Sequence, residues 1–144
     1  MIETIFEISK KLEENNIDYF LTCGTSLFLR KIIKKTKDID FCIKEEDKKK
    51  IKKIFGKELI FTIKKKAITF DKNGYEIEFL LINEKNDPIS FKIFEKKDYE
   101  IIKRNKKEIK IISIKDLISM YRFVYLRDGK EKYLERIKLL ENLK

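Results

Sequence analysis

Two aspartates in a strictly alternating segment are the first residues of this sequence that could do chemistry. Residues 38–43 read Asp-Ile-Asp-Phe-Cys-Ile, which is typical of a β-strand with one apolar face. Asp38 and Asp40 then share the other face with α-carbons about 6.6 Å apart, so both carboxylates can reach a pair of metal ions held roughly 3.5–4 Å from each other. The spacing therefore indicates a two-metal carboxylate site.

A predicted β-hairpin supplies candidates for a third carboxylate. Residues 67–71 and 75–82 flank Lys-Asn-Gly at 72–74, and Asn-Gly between alternating runs is a strong hairpin signal. Glu76 and Glu78 lie on one face of the second strand, so periodicity alone does not rank them. Clustered carboxylates repel one another, and this favours binding of Mg²⁺ or Mn²⁺, which prefer oxygen ligands.

A short turn before the aspartates has the residue types that bind phosphate. A strand at 19–21 runs into a turn that contains Gly24, and Thr25 or Ser26 is predicted to cap the helix that follows. Glycine allows close approach of the backbone, hydroxyls donate hydrogen bonds, and a helix N-terminus presents unpaired N–H groups. Lys34 adds positive charge nearby.

The composition removes several classes of enzyme. The chain has no histidine, which excludes Ser-His-Asp and Cys-His nucleophile pairs and His-ligated metal sites. Its two cysteines, Cys23 and Cys42, are too few for a four-cysteine zinc site or a disulfide framework, and we expect free buried thiols in a reducing, cytoplasmic compartment. The apolar stretch at 77–82 is too short to span a membrane. Chemistry must therefore use carboxylates, lysines or hydroxyls.

The elements that must position these residues fit one domain. The chain of 144 residues is too short for two well-buried cores, and no repeat or linker marks a boundary. We therefore predict a single domain over residues 1–144, with a catalytic core at 1–112 and C-terminal helices at 113–144.

Helical spacing of apolar residues predicts three helices in the core. The first ends near residues 15–16, the second follows the Gly24 turn, and the lysine-rich third ends at Gly56. The second helix is predicted to pack one apolar face and to present a basic face through i, i+4 spacing. That basic face comprises Arg30, Lys31, Lys34 and Lys35.

The second half of the chain gives weaker strand signals and a clear helical end. Residues 89–94 and 109–112 are strand candidates, separated by a charged stretch that the pattern does not assign. Ser113 and Asp116 have the spacing of a helix-opening box, and Gly129 separates the last two helices. The C-terminus is thus predicted to be a helical pair.

Residues 19–43 resemble the signature of the DNA polymerase beta-like nucleotidyltransferase superfamily, most closely its small-substrate and abortive-infection toxin branches. The resemblance consists of a strand that ends in glycine, a helix, and a strand that carries Asp-x-Asp. It implies an α/β (α+β) nucleotidyltransferase fold, with a small mixed sheet, flanking helices and a C-terminal helical pair. It also implies a site with nucleotide-binding residues Gly24, Thr25, Ser26 and Lys34, and with catalytic, metal-binding residues Asp38, Asp40 and Glu78.

This chain departs from the family pattern at several positions. Cys23, Lys34 and Glu78 stand where glycine, arginine and aspartate are usual. In the C-terminal region Tyr121 stands where a lysine is often found, and the two aspartates of a motif in relatives are replaced by Tyr133 and Arg136.

The resemblance implies transfer of a nucleotidyl group from a nucleoside triphosphate to a hydroxyl acceptor, with two Mg²⁺ or Mn²⁺ ions. The acceptor is left open among RNA, a protein side chain and a small molecule; 35 Lys and Arg against 25 Asp and Glu, a net charge of +10, favour RNA. One alternative is an inactive RNA- or partner-binding module of the same fold, such as a toxin–antitoxin component. Another is a basic RNA-binding domain whose carboxylates are incidental. The oligomeric state is left open.

Overall fold

The computed structural model describes residues 1–56, 62–64 and 66–143, in which helices pack on both faces of one mixed sheet. The described helices are α1 (Ile2–Glu14), α2 (Cys23–Leu29), α3 (Lys48–Phe55), α4 (Pro88–Lys96), α5 (Ile114–Asp128) and α6 (Glu131–Glu141). The described strands are β1 (Tyr19–Leu21), β2 (Asp38–Lys44), β3 (Thr62–Lys64), β4 (Ala67–Lys72), β5 (Tyr75–Ile82), β6 (Glu100–Arg104) and β7 (Lys107–Ile111). The predicted α/β fold with a C-terminal helical pair is confirmed.

The sheet has the strand order β3-β4-β5-β2-β1-β7-β6, with β2 near its centre. β2 runs parallel to β5 and antiparallel to β1, and β1 runs parallel to β7. Because β2 and β5 are parallel neighbours, Asp38 lies opposite Glu76 and Asp40 lies opposite Glu78. The two acidic strands of the sequence are therefore adjacent and in register.

The alternation predicted along β2 is confirmed, and it divides the core into two layers. Ile39, Phe41 and Ile43 are buried in the layer that contains α1 and α3. Cys42 is buried in the other layer, with residues of α2, α4, α5 and α6. Asp38 and Asp40 share the face of Cys42, so the C-terminal helices lie on the same side of the sheet as the acidic residues.

The hairpin predicted around residues 72–74 is confirmed. β4 and β5 pair antiparallel, and Lys72 lies opposite Tyr75. Asn73 and Gly74 both have positive φ, 53° and 83°, which the favoured two-residue hairpin turn requires. The following strand, β5, carries Glu76 and Glu78.

Residues 89–94 form part of a helix, so the strand predicted there is wrong. The Asp87 carboxylate accepts a hydrogen bond from the Ser90 N–H at 3.0 Å, and Pro88 occupies the first helical turn. An aspartate cap followed by proline is a strong helix start. Ile93 and Phe94 are buried by the helix, which explains why this stretch is apolar.

The basic face predicted for the second helix is also wrong, because α2 ends at Leu29. Lys31 has a φ of 62°, which ends the helical path. Arg30 donates to the Ile112 carbonyl at 2.6 Å and pairs with Glu100 at 3.0 Å. Arg30 therefore connects the end of α2 to the end of β7 and to the edge strand β6. The lysines that follow do not share a helix face.

The strand predicted at 109–112 is confirmed as β7, and the unassigned charged stretch before it contains β6, which pairs antiparallel with β7. The helix-opening box is also present: the Ser113 hydroxyl accepts from the Asp116 N–H at 3.1 Å. Gly129, with a φ of 67°, separates α5 from α6. Among the described residues, no helix has the length and apolar character needed to cross a membrane.

Candidate active site

Three carboxylates meet where β2 and β5 lie side by side. Asp38 and Asp40 project from β2, and Glu78 projects from β5 opposite Asp40. Each of the three offers an oxygen within 4.8 Å of the others. Glu76 is exposed and lies outside this group, so the structure separates the two glutamates that sequence periodicity left equal.

The carboxylates of the cluster repel one another, and the effect is strongest at Asp40, which is only 7% exposed. Burial, followed by the negative charges of Glu78 and Asp38, raises the pKa of the Asp40 carboxyl well above its ordinary value. The Arg136 guanidinium opposes this rise. A divalent cation would relieve the repulsion, because it stabilises the charged form of each carboxylate.

Thr25 holds the strand that carries the two aspartates. Its hydroxyl donates to the Asp38 carbonyl at 3.1 Å and accepts from the Asp40 N–H at 2.8 Å. The Ser26 hydroxyl donates to the Cys23 carbonyl at 2.7 Å. Both side chains are 0% exposed, so these hydroxyls bond within the protein instead of facing a ligand.

Replacement of Thr25 by valine tests this arrangement. Valine has nearly the same shape but leaves the Asp40 N–H without its hydroxyl acceptor, and an unsatisfied buried donor costs about 1–3 kcal/mol. We expect a lower melting temperature, by roughly 2–4 °C per kcal/mol for a chain of this length. Thr25→Ser, which keeps the hydroxyl, is the matched control. A valine variant that melts with the wild type would contradict this role.

The turn before α2 differs from the predicted one in its cap. The helix begins at Cys23 after Thr22, and neither Thr25 nor Ser26 caps it. Gly24 lies at the cavity beside the carboxylates, where an added Cβ would be 3.4 Å from the Thr36 hydroxyl. Lys34 is exposed in the segment after α2 and is not among the residues that line the cavity.

Neither cysteine forms a disulfide, as the sequence analysis predicted. Cys42 is buried, whereas Cys23 is partly exposed and lines the cavity. Burial and the nearby Asp40 raise the pKa of the Cys23 thiol far above its ordinary value. Cys23 is therefore a protonated thiol and a poor nucleophile.

A cavity of about 270 Å³ opens in front of the carboxylates, between the sheet and the C-terminal helices. One part of its wall is apolar and is formed by Leu80, Leu81, Ile82, Met120, Val124 and Tyr133. Another part is basic and is formed by Lys66, Arg127, Lys132 and Arg136. The cavity thus places positive groups and an apolar surface around the acidic cluster.

Arg136 in this wall contacts the buried Tyr121, and no functional role was predicted for either residue from the sequence. Arg136 Nη1 donates to the Tyr121 hydroxyl at 3.0 Å, and the guanidinium lies 5.8 Å from the centre of the Tyr121 ring. These are two of the positions where the chain departs from the family pattern. Their joint departure is the sequence signal that could have linked them.

No family model matches the sequence, and no curated protein matches it. Solved structures do match over nearly the whole chain. The lincosamide antibiotic adenylyltransferase LnuA, bound to lincomycin, is 15% identical with a TM-score of 0.66, covering 100% of this chain and 98% of its own. ANT(2'')-Ia in complex with adenylyl-2''-tobramycin is 12% identical with a TM-score of 0.65, covering 96% of this chain and 86% of its own.

A third solved structure also matches the chain. An antigenic nucleotidyltransferase-like protein from Paracoccidioides brasiliensis is 15% identical with a TM-score of 0.64, covering 96% of this chain and 73% of its own. At these identities the similarity concerns the fold. The chain therefore has the nucleotidyltransferase fold.

Proposed function

We propose that this protein is a metal-dependent nucleotidyltransferase that moves a nucleotidyl group from a nucleoside triphosphate to a hydroxyl of a small molecule. The observation that carries the proposal is the meeting of Asp38, Asp40 and Glu78 within 4.8 Å in a cavity that also has a basic wall. The nucleotidyltransferase fold of the structural neighbours supports the same reaction class.

The donor set fits Mg²⁺ or Mn²⁺, because it consists of carboxylate oxygens alone. The raised pKa of Asp40 supports this fit. The neighbouring carboxylates disfavour its ionised form, and a bound cation would stabilise that form. Two bound ions would stabilise the leaving pyrophosphate and lower the pKa of the attacking hydroxyl. Asp38, Asp40 and Glu78 are the residues that would hold these ions.

The proposed reaction forms one bond and breaks one bond at the α-phosphorus of the nucleotide. The acceptor hydroxyl oxygen forms a bond to the α-phosphorus, and the bond from that phosphorus to the bridging oxygen breaks. Pyrophosphate leaves with the bonding electron pair, and the hydroxyl proton passes to the Glu78 carboxylate, which is half-buried and reaches the cavity. Gly24 lets the phosphates approach the backbone, while Thr25 and Ser26 position the surrounding chain.

A small acceptor suits the cavity better than RNA does. Its apolar wall fits a compact organic molecule, and its volume of about 270 Å³ is just below the range of roughly 300–1,000 Å³ for small-molecule pockets. Two structural neighbours hold small molecules, lincomycin and adenylyl-2''-tobramycin. The net charge of +10 favoured RNA in the sequence, but the basic helix face predicted to add to an RNA-binding surface is not formed, because α2 ends at Leu29.

The test compares label at two positions of the nucleotide. Each of the four nucleoside triphosphates, labelled at the α- or the γ-phosphate, is incubated with the protein, Mg²⁺ or Mn²⁺, and separate pools of small metabolites, RNA and protein. We expect the α-label alone to enter a small metabolite. Transfer of γ-label would identify phosphoryl transfer instead, and α-label in RNA or protein would overturn the acceptor assignment. Absence of any transfer would favour the inactive binding module.

A further inference from the structure

We propose that Arg136, held in position by Tyr121, binds the phosphate chain of the nucleoside triphosphate. The inference rests on the proposed function and adds a residue to it. It gives α6 a direct part in binding the nucleotide, in addition to the carboxylates of β2 and β5.

The first observation is that Arg136 is a half-buried cation with unused donors. Its guanidinium has five N–H donors and stays charged at any physiological pH. Within the part of the chain that the structure describes, it makes one hydrogen bond, to Tyr121, and no carboxylate lies within ion-pair distance. A partly desolvated guanidinium with open donors is stabilised by an anion, and phosphate matches its planar fork.

The second observation is where the guanidinium lies. Its two terminal nitrogens are 3.8 and 3.9 Å from the position that a Cβ on Gly24 would occupy. Arg136 and Asp40 line the same cavity, so the guanidinium and this carboxylate of the acidic cluster face a common space. The Arg136 guanidinium thus lies beside Gly24, in the cavity that the acidic cluster also lines. A phosphate chain bound in this cavity could contact both the cations held by the carboxylates and the Arg136 guanidinium.

Other cations of the wall are less suited to this task. Arg127 donates to the Asn86 carbonyl at 2.6 Å and to the two Asp128 oxygens at 3.0 and 3.2 Å, so its fork is occupied. Lys132 is exposed, and its ammonium lies 5.2 Å from the centre of the Tyr133 ring. A solvated lysine gains less from an anion than a half-buried arginine does.

Tyr121 fixes the orientation of the guanidinium. It is 0% exposed, so neighbouring residues of the core restrict the movement of its hydroxyl and ring. The hydroxyl accepts from Arg136 and the ring lies below the guanidinium, which restricts both the position and the tilt of the fork. Tyr121 is therefore a positioning residue, and it does not contact the nucleotide.

The test uses calorimetric titration with Mg²⁺-ATP and with Mg²⁺-inorganic triphosphate, which lacks the nucleoside. We expect Arg136→Gln to weaken both by the same factor, roughly 10- to 100-fold for loss of a charged hydrogen-bonding partner. Arg136→Lys keeps the charge without the fork and should lie between Gln and wild type. Tyr121→Phe should weaken both ligands by a few-fold. The matched control, Arg122→Gln, removes an exposed arginine of α5 that pairs with Glu141, and affinity should not change.

Three results would overturn the inference. Equal affinities of wild type and Arg136→Gln for inorganic triphosphate would remove Arg136 from phosphate binding and leave the proposed function intact. Loss of ATP affinity alone would assign Arg136 to the nucleoside. Failure of the wild type to bind either Mg²⁺ complex would overturn the proposed function as well. If Arg136→Gln does not fold, as judged by its melting curve, the affinities of Arg136→Lys and Tyr121→Phe for the same two ligands are compared with those of the wild type instead.

Discussion

Replacement of Asp38 and Asp40 by asparagine is expected to make the metal-free protein more stable and to abolish nucleotidyl transfer. Asparagine keeps the shape of aspartate but removes the charges that repel one another and Glu78. Without those charges the site cannot hold cations, whose stabilisation of the reacting phosphates amounts to several kcal/mol. We therefore expect a loss of transfer of more than 100-fold, together with a higher melting temperature in the presence of a chelator.

The direction of the stability change follows from the pKa of Asp40. Its folded-state pKa is raised above the unfolded value near 4, so Asp40 lowers the stability of the fold as the pH rises above 4. The advantage of the variant should shrink as the pH falls towards 4, because wild-type Asp40 is then protonated. Melting curves at several pH values measure it, with Asp71→Asn as the control at an exposed position of β4. A double variant that melts below the wild type at pH 7 would contradict the repulsive cluster.

Glu78→Gln should remove most transfer while nucleotide affinity stays within about tenfold, or roughly 1.4 kcal/mol, of the wild type. Glu78 is proposed to accept the hydroxyl proton, and loss of a general base costs typically 100- to 10,000-fold in rate. Asp38 and Asp40 remain to hold the metal–triphosphate complex. Binding and transfer are therefore expected to separate.

Glu76→Gln is the matched control for this prediction. Glu76 lies two residues away on the same face of β5, but it is exposed and outside the carboxylate group. Its replacement should change neither binding nor transfer. Parallel measurements of nucleotide affinity and label transfer on the two variants decide the assignment, which is wrong if Glu76→Gln is the inactive protein or if Glu78→Gln transfers at the wild-type rate.

The carboxylate cluster could be anticipated from the sequence because strong local patterns encode it. Strict alternation at 38–43 fixes which side chains share a face, and the Asn-Gly turn fixes the hairpin that carries Glu78. Local pattern did not reveal that Glu78, and not Glu76, completes the group. The family resemblance had selected Glu78. The pairing of β5 with β2 places both glutamates opposite an aspartate, and the structure separates them because Glu76 is exposed and lies outside the group.

Elsewhere a local pattern favoured the wrong element. The apolar residues at 89–94 are compatible with both a strand and a helix, and the deciding signal is the aspartate cap followed by proline at 87–88. The helical spacing after Gly24 continued past the true end of α2. There the bonds of Arg30 to Ile112 and Glu100 override the periodicity, and they connect residues more than 60 positions apart in sequence.

The polar residues of the turn show how a correct location can carry a different role. Thr25 and Ser26 do lie beside the aspartates, but their hydroxyls bond to backbone groups of the protein. The basic wall could not be predicted, because it forms only when α5 and α6 pack across the sheet. Arg136 is 96 residues from Asp40 along the chain, and nothing local in the sequence brings them together.

Calorimetric titration of nucleoside triphosphate, with and without Mg²⁺, is the measurement that tests the carboxylate site most directly. The wild type should bind the nucleotide tightly only in the presence of the ion, and the Asp38→Asn, Asp40→Asn variant should lose that dependence. If wild type and variant bind ATP, GTP, CTP and UTP equally weakly with or without Mg²⁺, the cluster is not a metal–nucleotide site and the proposed function is wrong.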